Sequence, residues 1–154
     1  MHSSFLRRAV ELAVDNVGQG GGPFGALVVK DDKVIAASGN RVTVNLDPTA
    51  HAEVLAIRLA CRELGSFQLT GCTLYTSCEP CPMCLGAIYW ARLQAVYYAC
   101  NRQDAAQAGF DDRFIYDEIG KSSDNRCIPM IYLNLNNAGL PFQAWDDLQS
   151  KIKY

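Results

Sequence analysis

Two short motifs constrain this chain more than any other feature of its 154 residues. The first motif holds His51 and Glu53, and the second holds Cys81 and Cys84. One imidazole and two thiolates are a suitable ligand set for a zinc ion that keeps a fourth coordination position open for water. Because the motifs are far apart in the sequence, the fold must bring two separate segments to one point.

The local sequence predicts how each motif is presented. If Pro82 is the first residue of a helix, where its missing N–H group costs nothing, the two cysteines lie on one side of the first turn. The positive end of that helix favours thiolates over thiols. Glu53 lies two residues after His51, so it can share the site without being a ligand. A carboxylate beside a zinc-activated water can accept its proton and pass it to a departing amine.

The cysteine pair is also compatible with three other kinds of protein. A C-x-x-C motif also occurs in redox dithiols and as half of a structural zinc site. A structural site needs four protein ligands, and outside residues 78–84 the sequence contains no C-x-x-C motif to complete one. A dithiol oxidoreductase would leave His51 and Glu53 unexplained. A zinc-stabilised interaction module without catalysis would be expected to lack the proton-transferring group, and Glu53 is intact.

Length and composition predict a single domain over residues 1–154 with one substantial core. Hydrophobic residues make up 49% of the chain and charged residues 19%, and no apolar run is long enough to span a bilayer. The first residues lack the apolar core of a signal peptide, so we expect a cytoplasmic protein, and His2 is assigned to a mobile N-terminus. The net charge of −2, with no run of Lys or Arg, argues against a large nucleic acid as partner.

The seven cysteines are expected to be reduced thiols, because their number is odd and no secretion signal accompanies them. Besides the two motif cysteines, Cys78 is assigned to local packing, with a role as a spare ligand as the alternative. The remaining four lie in or beside apolar stretches, so core packing is predicted for Cys61, Cys72, Cys100 and Cys127.

Hydrophobic periodicity and turn residues predict alternating helices and strands. Asp47 and Pro48 are predicted to begin the helix that carries the first motif, and Gly65 to end it. The strand, helix and strand around the second motif predict a parallel β-α-β unit. The fold class predicted is a three-layer α/β/α architecture with a central five-stranded mixed sheet flanked by helices. Helices are predicted at 4–17, 48–64, 82–92 and 141–154, short helical pieces at 104–108 and 114–119, and strands at 24–30, 34–38, 72–76, 95–100 and 130–135.

Several stretches together resemble the cytidine deaminase superfamily, and within it the small bacterial guanine deaminases. The resemblance covers almost the whole chain, and its most specific parts are residues 23–26, 47–53, 76–91 and 108–112, and the terminal Tyr154. It implies a cytidine-deaminase-like fold, one Zn²⁺ per subunit, and hydrolysis of guanine to xanthine and ammonia in purine catabolism. The first three stretches also suit tRNA adenosine deaminases, so another nucleobase, a nucleoside or a tRNA adenosine is the alternative substrate.

The resemblance also implies a role for each site residue. Zinc would be held by His51, Cys81 and Cys84, and Glu53 would transfer protons. Asn40 would hydrogen-bond the purine ring, Asp112 would contact the polar edge near the departing amine, Tyr154 would close over the base, and Phe24 and Trp90 would be wall residues. The resemblance further implies a homodimer that exchanges a C-terminal helical tail, about residues 137–154. Independently, a flat purine with a polar edge calls for aromatic walls and a few fixed amide or carboxylate groups.

Overall fold

A four-stranded mixed sheet lies at the centre of residues 1–113 in the computed structural model, which describes all residues 1–154. Its strands are β1 (Gly22–Lys30), β2 (Lys33–Asn40), β3 (Thr73–Cys78) and β4 (Ala95–Cys100), in the order β2-β1-β3-β4. β1 pairs antiparallel with β2 and β3, and β3 pairs parallel with β4. The strands predicted at 24–30 and 34–38 and the predicted parallel unit are therefore confirmed.

Helices cover both faces of this sheet. Alternate residues of β1 point to opposite faces, so that Leu27 and Val29 pack with α1 (His2–Gly18), while Ala26 and Val28 pack with α3 (Ala52–Glu63). This arrangement confirms a mixed sheet flanked by helices. Three further helices of this unit are α2 (Val42–Asn45), α4 (Pro82–Trp90) and α5 (Arg102–Gln107). None of the helices in the chain combines the length and the apolar character needed to cross a bilayer.

The start of α3 differs from the prediction. Asp47 does not cap the helix; its carboxylate accepts hydrogen bonds from the N–H and the hydroxyl of Thr49, at 2.8 and 2.7 Å. The carbonyl of the buried Ala50 accepts from the N–H of Arg41 at 2.9 Å. Residues 47–50 form a turn instead, in which the N–H of Ala50 donates to the Asp47 carbonyl at 3.1 Å, and α3 begins only at Ala52. The predicted end is confirmed, since Gly65 follows the helix with a φ of 59°.

Two cysteine predictions and one histidine prediction are wrong. Cys72 is buried and Cys61 is half-buried, but Cys100 and Cys127 are exposed and do not pack in a core. His2 is not mobile: it lies in α1, its Nδ1 is 2.7 Å from the Tyr75 hydroxyl, and its ring stacks on another tyrosine of the sheet. The exposure of Cys100 and the position of His2 depend on contacts with the sheet, and Cys127 lies outside the sheet beside Glu118, so local apolarity reveals none of the three.

Residues 114–154 form a second compact unit. It contains most of α6 (Arg113–Ile119), a 3₁₀ turn at Ser123–Asn125 and α7 (Leu140–Asp147). The prediction of a fifth strand at 130–135 is wrong, because this segment has no strand partner and its large apolar side chains are exposed. The predicted helical tail also ends early, since residues 148–154 are not helical.

Candidate metal centre

Two helix N-termini present the side chains of both motifs. His51 occupies the N-cap position of α3, and Cys81 occupies the N-cap position of α4, each with an extended backbone. Pro82 is the first residue of α4, as predicted, and Cys84 lies in its first turn. The positive ends of two helix dipoles therefore point into one site, which favours negatively charged sulfur there.

The geometry of the three candidate ligands fits a zinc ion. His51 Nδ1 lies 3.5 Å from Cys81 Sγ and 3.5 Å from Cys84 Sγ. All three ligand atoms lie within 4.8 Å of one another. Tetrahedral zinc with its usual Zn–S and Zn–N bond lengths separates a nitrogen and a sulfur ligand by about 3.6 Å. Three protein ligands in this arrangement leave a fourth position for water or substrate, so the residues suit one catalytic Zn²⁺.

The protonation of the sulfurs also suits a metal. A hydrogen bond from the Cys84 side chain, together with one from His51, lowers the pKa of Cys81 to about 4. The same contact raises the pKa of Cys84, so the pair holds one proton between two sulfurs. The Cys81 thiolate in turn raises the pKa of His51. A divalent cation takes the place of such shared protons, because metal ligands bind in their deprotonated forms.

Glu53 lies beside the three ligands and is not one of them. It is the second residue of α3 and only 6% exposed. Burial raises its pKa, and the negative charge of Cys81 raises it further, while a hydrogen bond with the Cys84 side chain lowers it. A buried carboxyl with a raised pKa can both accept and release a proton near neutral pH.

Other predicted site residues, Asn40, Phe24 and Asp112, belong to the same unit of the chain. Asn40 ends β2 and is 8% exposed, and its Oδ1 accepts the N–H of Val42 at 3.2 Å. Phe24 contacts Phe110 edge to face, with ring centroids 5.0 Å apart. Burial raises the pKa of Asp112, and the negative charge of Cys81 adds to the effect.

The other predicted wall and lid residues, Trp90 and Tyr154, have exposed side chains. Trp90 is the last residue of α4, about 12 Å along the helix axis from the first turn, and it is 63% exposed. Tyr154 belongs to the second unit and is 74% exposed. The roles implied for both residues stay predictions.

The structure confirms that Cys78 packs locally. It also shows two residues of the site that the sequence did not predict, Glu79 and Phe110. The Cys78 thiol donates to the carbonyl of Asn101 at 3.6 Å and is not part of the metal group. The Glu79 carboxylate accepts the N–H of Arg102 at 3.1 Å and so holds the start of α5 beside the site. Phe110 is the second aromatic beside Phe24. The only sign of this role in the sequence is the position of Phe110 between Gly109 and two aspartates.

Comparisons with known proteins agree with this chemistry. The family model "Cytidine and deoxycytidylate deaminase zinc-binding region" matches residues 1–100. A guanine deaminase from Bacillus subtilis is 58% identical over 154 residues, which cover 99% of each chain. An X-ray structure of guanine deaminase from Bacillus subtilis superposes with a TM-score of 0.99 at 58% identity, covering 100% of this chain and 99% of that one.

A second kind of relative matches a shorter region. A tRNA-specific adenosine deaminase from Agrobacterium fabrum is 51% identical over 79 residues, which are 51% of this chain and 52% of that protein. Relatives of this chain therefore include proteins named for different substrates. The chain belongs to the cytidine and deoxycytidylate deaminase family and is a homologue of a bacterial guanine deaminase.

Proposed function

We propose that this protein catalyses the zinc-dependent hydrolysis of guanine to xanthine and ammonia. The observation that carries the proposal is the group of His51, Cys81 and Cys84 with the buried Glu53 beside it. The choice of guanine is supported by 58% identity over nearly the whole length of the Bacillus subtilis guanine deaminase.

The three metal ligands and the Glu53 carboxyl have different roles in the proposed reaction. When bound, the zinc ion supplies the Lewis acidity that activates the attacking water. Glu53 accepts the proton of that water and later delivers a proton to the amine that leaves the purine. One water is consumed and one ammonia released. The N-terminal ends of α3 and α4 stabilise the thiolates throughout.

Base recognition is assigned to side chains around this centre. The Asn40 amide presents its N–H groups to an acceptor on the purine, because its oxygen is already bonded to Val42. Asp112 faces the donor edge of the base, and the Phe24 ring contacts its flat face. Trp90 as a further wall and Tyr154 as a lid complete the proposed site.

We also propose a single deaminase domain that acts as a homodimer and exchanges its C-terminal segment. Two features support the exchange. β4 pairs only with β3, so one edge of the sheet is free to accept another strand. Residues 114–154 expose many large apolar side chains for a unit of this size, including Ile131, Tyr132 and Phe142.

Mixing two inactive variants tests the exchange. If Tyr154 of one subunit completes the site of the other, a dimer of a Glu53→Gln chain and a chain lacking Tyr154 contains one intact site. Random reassociation after mild unfolding should then restore about a quarter of the wild-type activity. Light scattering gives the dimer mass. Without exchange, both sites of the mixed dimer carry a defect, and mixing restores nothing.

A substrate panel tests the activity itself. Ammonia release is measured with guanine, cytosine, adenine, their nucleosides and a tRNA anticodon stem-loop, using protein loaded with one equivalent of zinc. We expect kcat/KM to be largest for guanine. Faster ammonia release from a tRNA adenosine would instead favour the activity for which the Agrobacterium fabrum relative is named. The net charge of −2 argues against that outcome.

A cytoplasmic location stays part of the proposal. Thiolate ligands need a compartment in which cysteines remain reduced, as the cytoplasm is.

A further inference from the structure

Asn16 bridges three segments of the chain with a buried side chain. It lies near the end of α1 and is 4% exposed. Its Nδ2 donates to the carbonyls of Gly22 and Asn40, both at 2.8 Å, and its Oδ1 accepts from Arg41 Nη1 at 3.4 Å. Both amide hydrogens and the amide oxygen are therefore used, as the burial of an amide requires.

The surrounding backbone approaches this amide too closely for any side chain. A Cβ atom at Gly21 would lie 2.2 Å from Asn16 Nδ2, and one at Gly39 would lie 2.3 Å from the Asn16 side chain. Both distances are far inside van der Waals contact. Because glycine has no Cβ, the residue before β1 and the end of β2 can both pack directly against the Asn16 side chain.

The end of β2 carries Asn40, which is fixed at both its backbone and its side chain. Its carbonyl is held by Asn16, and its Oδ1 accepts the N–H of Val42. A Cβ at Gly22 would lie 2.9 Å from the same oxygen. The Asn40 amide thus has one orientation, with its N–H groups left for a ligand.

We propose that Asn16 is a positioning residue for purine recognition, because its two hydrogen bonds fix the strand end from which Asn40 donates to the base. This inference rests on the proposed function, in which Asn40 contacts guanine. In this proposal Asn16 does not contact the substrate. It restricts the conformation of Asn40 before the substrate binds.

The first test is Asn16→Ala in the zinc-loaded enzyme. We expect the KM for guanine to rise about tenfold or more with a smaller change in kcat, because a fixed hydrogen bond to substrate is weakened. Zinc content should stay at one per chain, because the ligands lie on other elements. Leu12→Ala is the matched control, since it removes packing from the same helix away from Asn40. It should lower the melting temperature and leave KM unchanged.

A double-mutant cycle separates positioning from general weakening. If Asn16 acts through Asn40, the Asn16→Ala change should cost nothing further in kcat/KM once Asn40 is Ala. Gly22→Ala, which pushes directly on the Asn40 amide, should raise KM in the same way. Should Asn16→Ala not accumulate as zinc-loaded protein, Asn16→Ser can still donate to one carbonyl and enters the same cycle.

Three results overturn the inference while leaving the proposed activity in place: an unchanged KM in Asn16→Ala, multiplicative losses in the double variant, or a normal KM in Asn40→Ala. A wild-type enzyme that releases no ammonia from guanine is a different result, which rejects the proposed function itself.

Discussion

Replacing Glu53 by Gln tests the centre of the proposed chemistry. The change removes the proton-accepting oxygen and keeps the size of the side chain. Because burial raises the pKa of Glu53, the charged form is the costly one in the folded protein, and a neutral amide avoids that cost. We therefore expect Glu53→Gln to fold with at least wild-type stability at pH 7 and to bind zinc through the unchanged ligands.

The magnitude of the rate loss follows from how enclosed the carboxyl is. A positioned acid or base typically contributes about 10² to 10⁴ in rate. Glu53 is only 6% exposed, so bulk water and buffer have little access to replace it, and it serves two proton transfers in the proposed reaction. The loss in kcat should therefore lie in the upper part of that range, about 10³ to 10⁴, which is about 4 to 5.5 kcal/mol of activation free energy.

The assay is ammonia release at saturating guanine, with zinc measured on the same samples. Glu63→Gln is the matched control, since Glu63 is exposed at the far end of the same helix and should give wild-type kcat. If Glu53→Gln retains kcat within about threefold of wild type with zinc bound, the assigned proton transfer is wrong.

Three further predictions concern stability and thiol chemistry. The buried Thr76 hydroxyl has no hydrogen-bond partner, so Thr76→Val should raise the free energy of unfolding by up to about 1 kcal/mol in urea titrations. Hydrogen bonds from Lys121 and from the N–H of Cys127 lower the pKa of Glu118 to about 2 from 4.5. Their stabilising effect should be complete above pH 4.5 and disappear as the pH falls towards 2, so the Cys127 amide signal in NMR should titrate near 2. Burial raises the pKa of Cys78 to about 11, so iodoacetamide at pH 8 should leave it unmodified until the protein is unfolded, as judged by mass spectrometry.

The metal ligands could be predicted from sequence because their placement depends on local rules. Pro82 after Cys81 fixes the start of a helix, and the i, i+3 spacing then sets both sulfurs on one side of it. The identities of the ligand and proton-transfer residues specify the chemistry before any fold is known. The structure adds that His51 occupies the N-cap position of a second helix, as Cys81 does in α4.

Residues that act through distant backbone contacts could not be predicted in this way. The hydrogen bond between Arg41 and the Ala50 carbonyl delays the start of α3, although Asp47 and Pro48 carry every local signal of a helix start. Asn16 is similar. Nothing in the periodicity of α1 distinguishes it from a surface residue, and only the density of glycines near 20 hints at a close approach.

The wrong prediction of a fifth strand at 130–135 has a different cause. Residues 130–135 are apolar enough to predict burial, but apolarity does not specify which surface covers them. β4 leaves its outer edge unpaired, and the segment from 130 to 135 stays exposed. A strand without a partner leaves its N–H and C=O groups in water, so it gains nothing from an extended conformation alone. If the proposed exchange takes place, a second copy of the chain provides the missing partner for residues 130–135. The apolar side chains of this segment would then be buried only in the dimer.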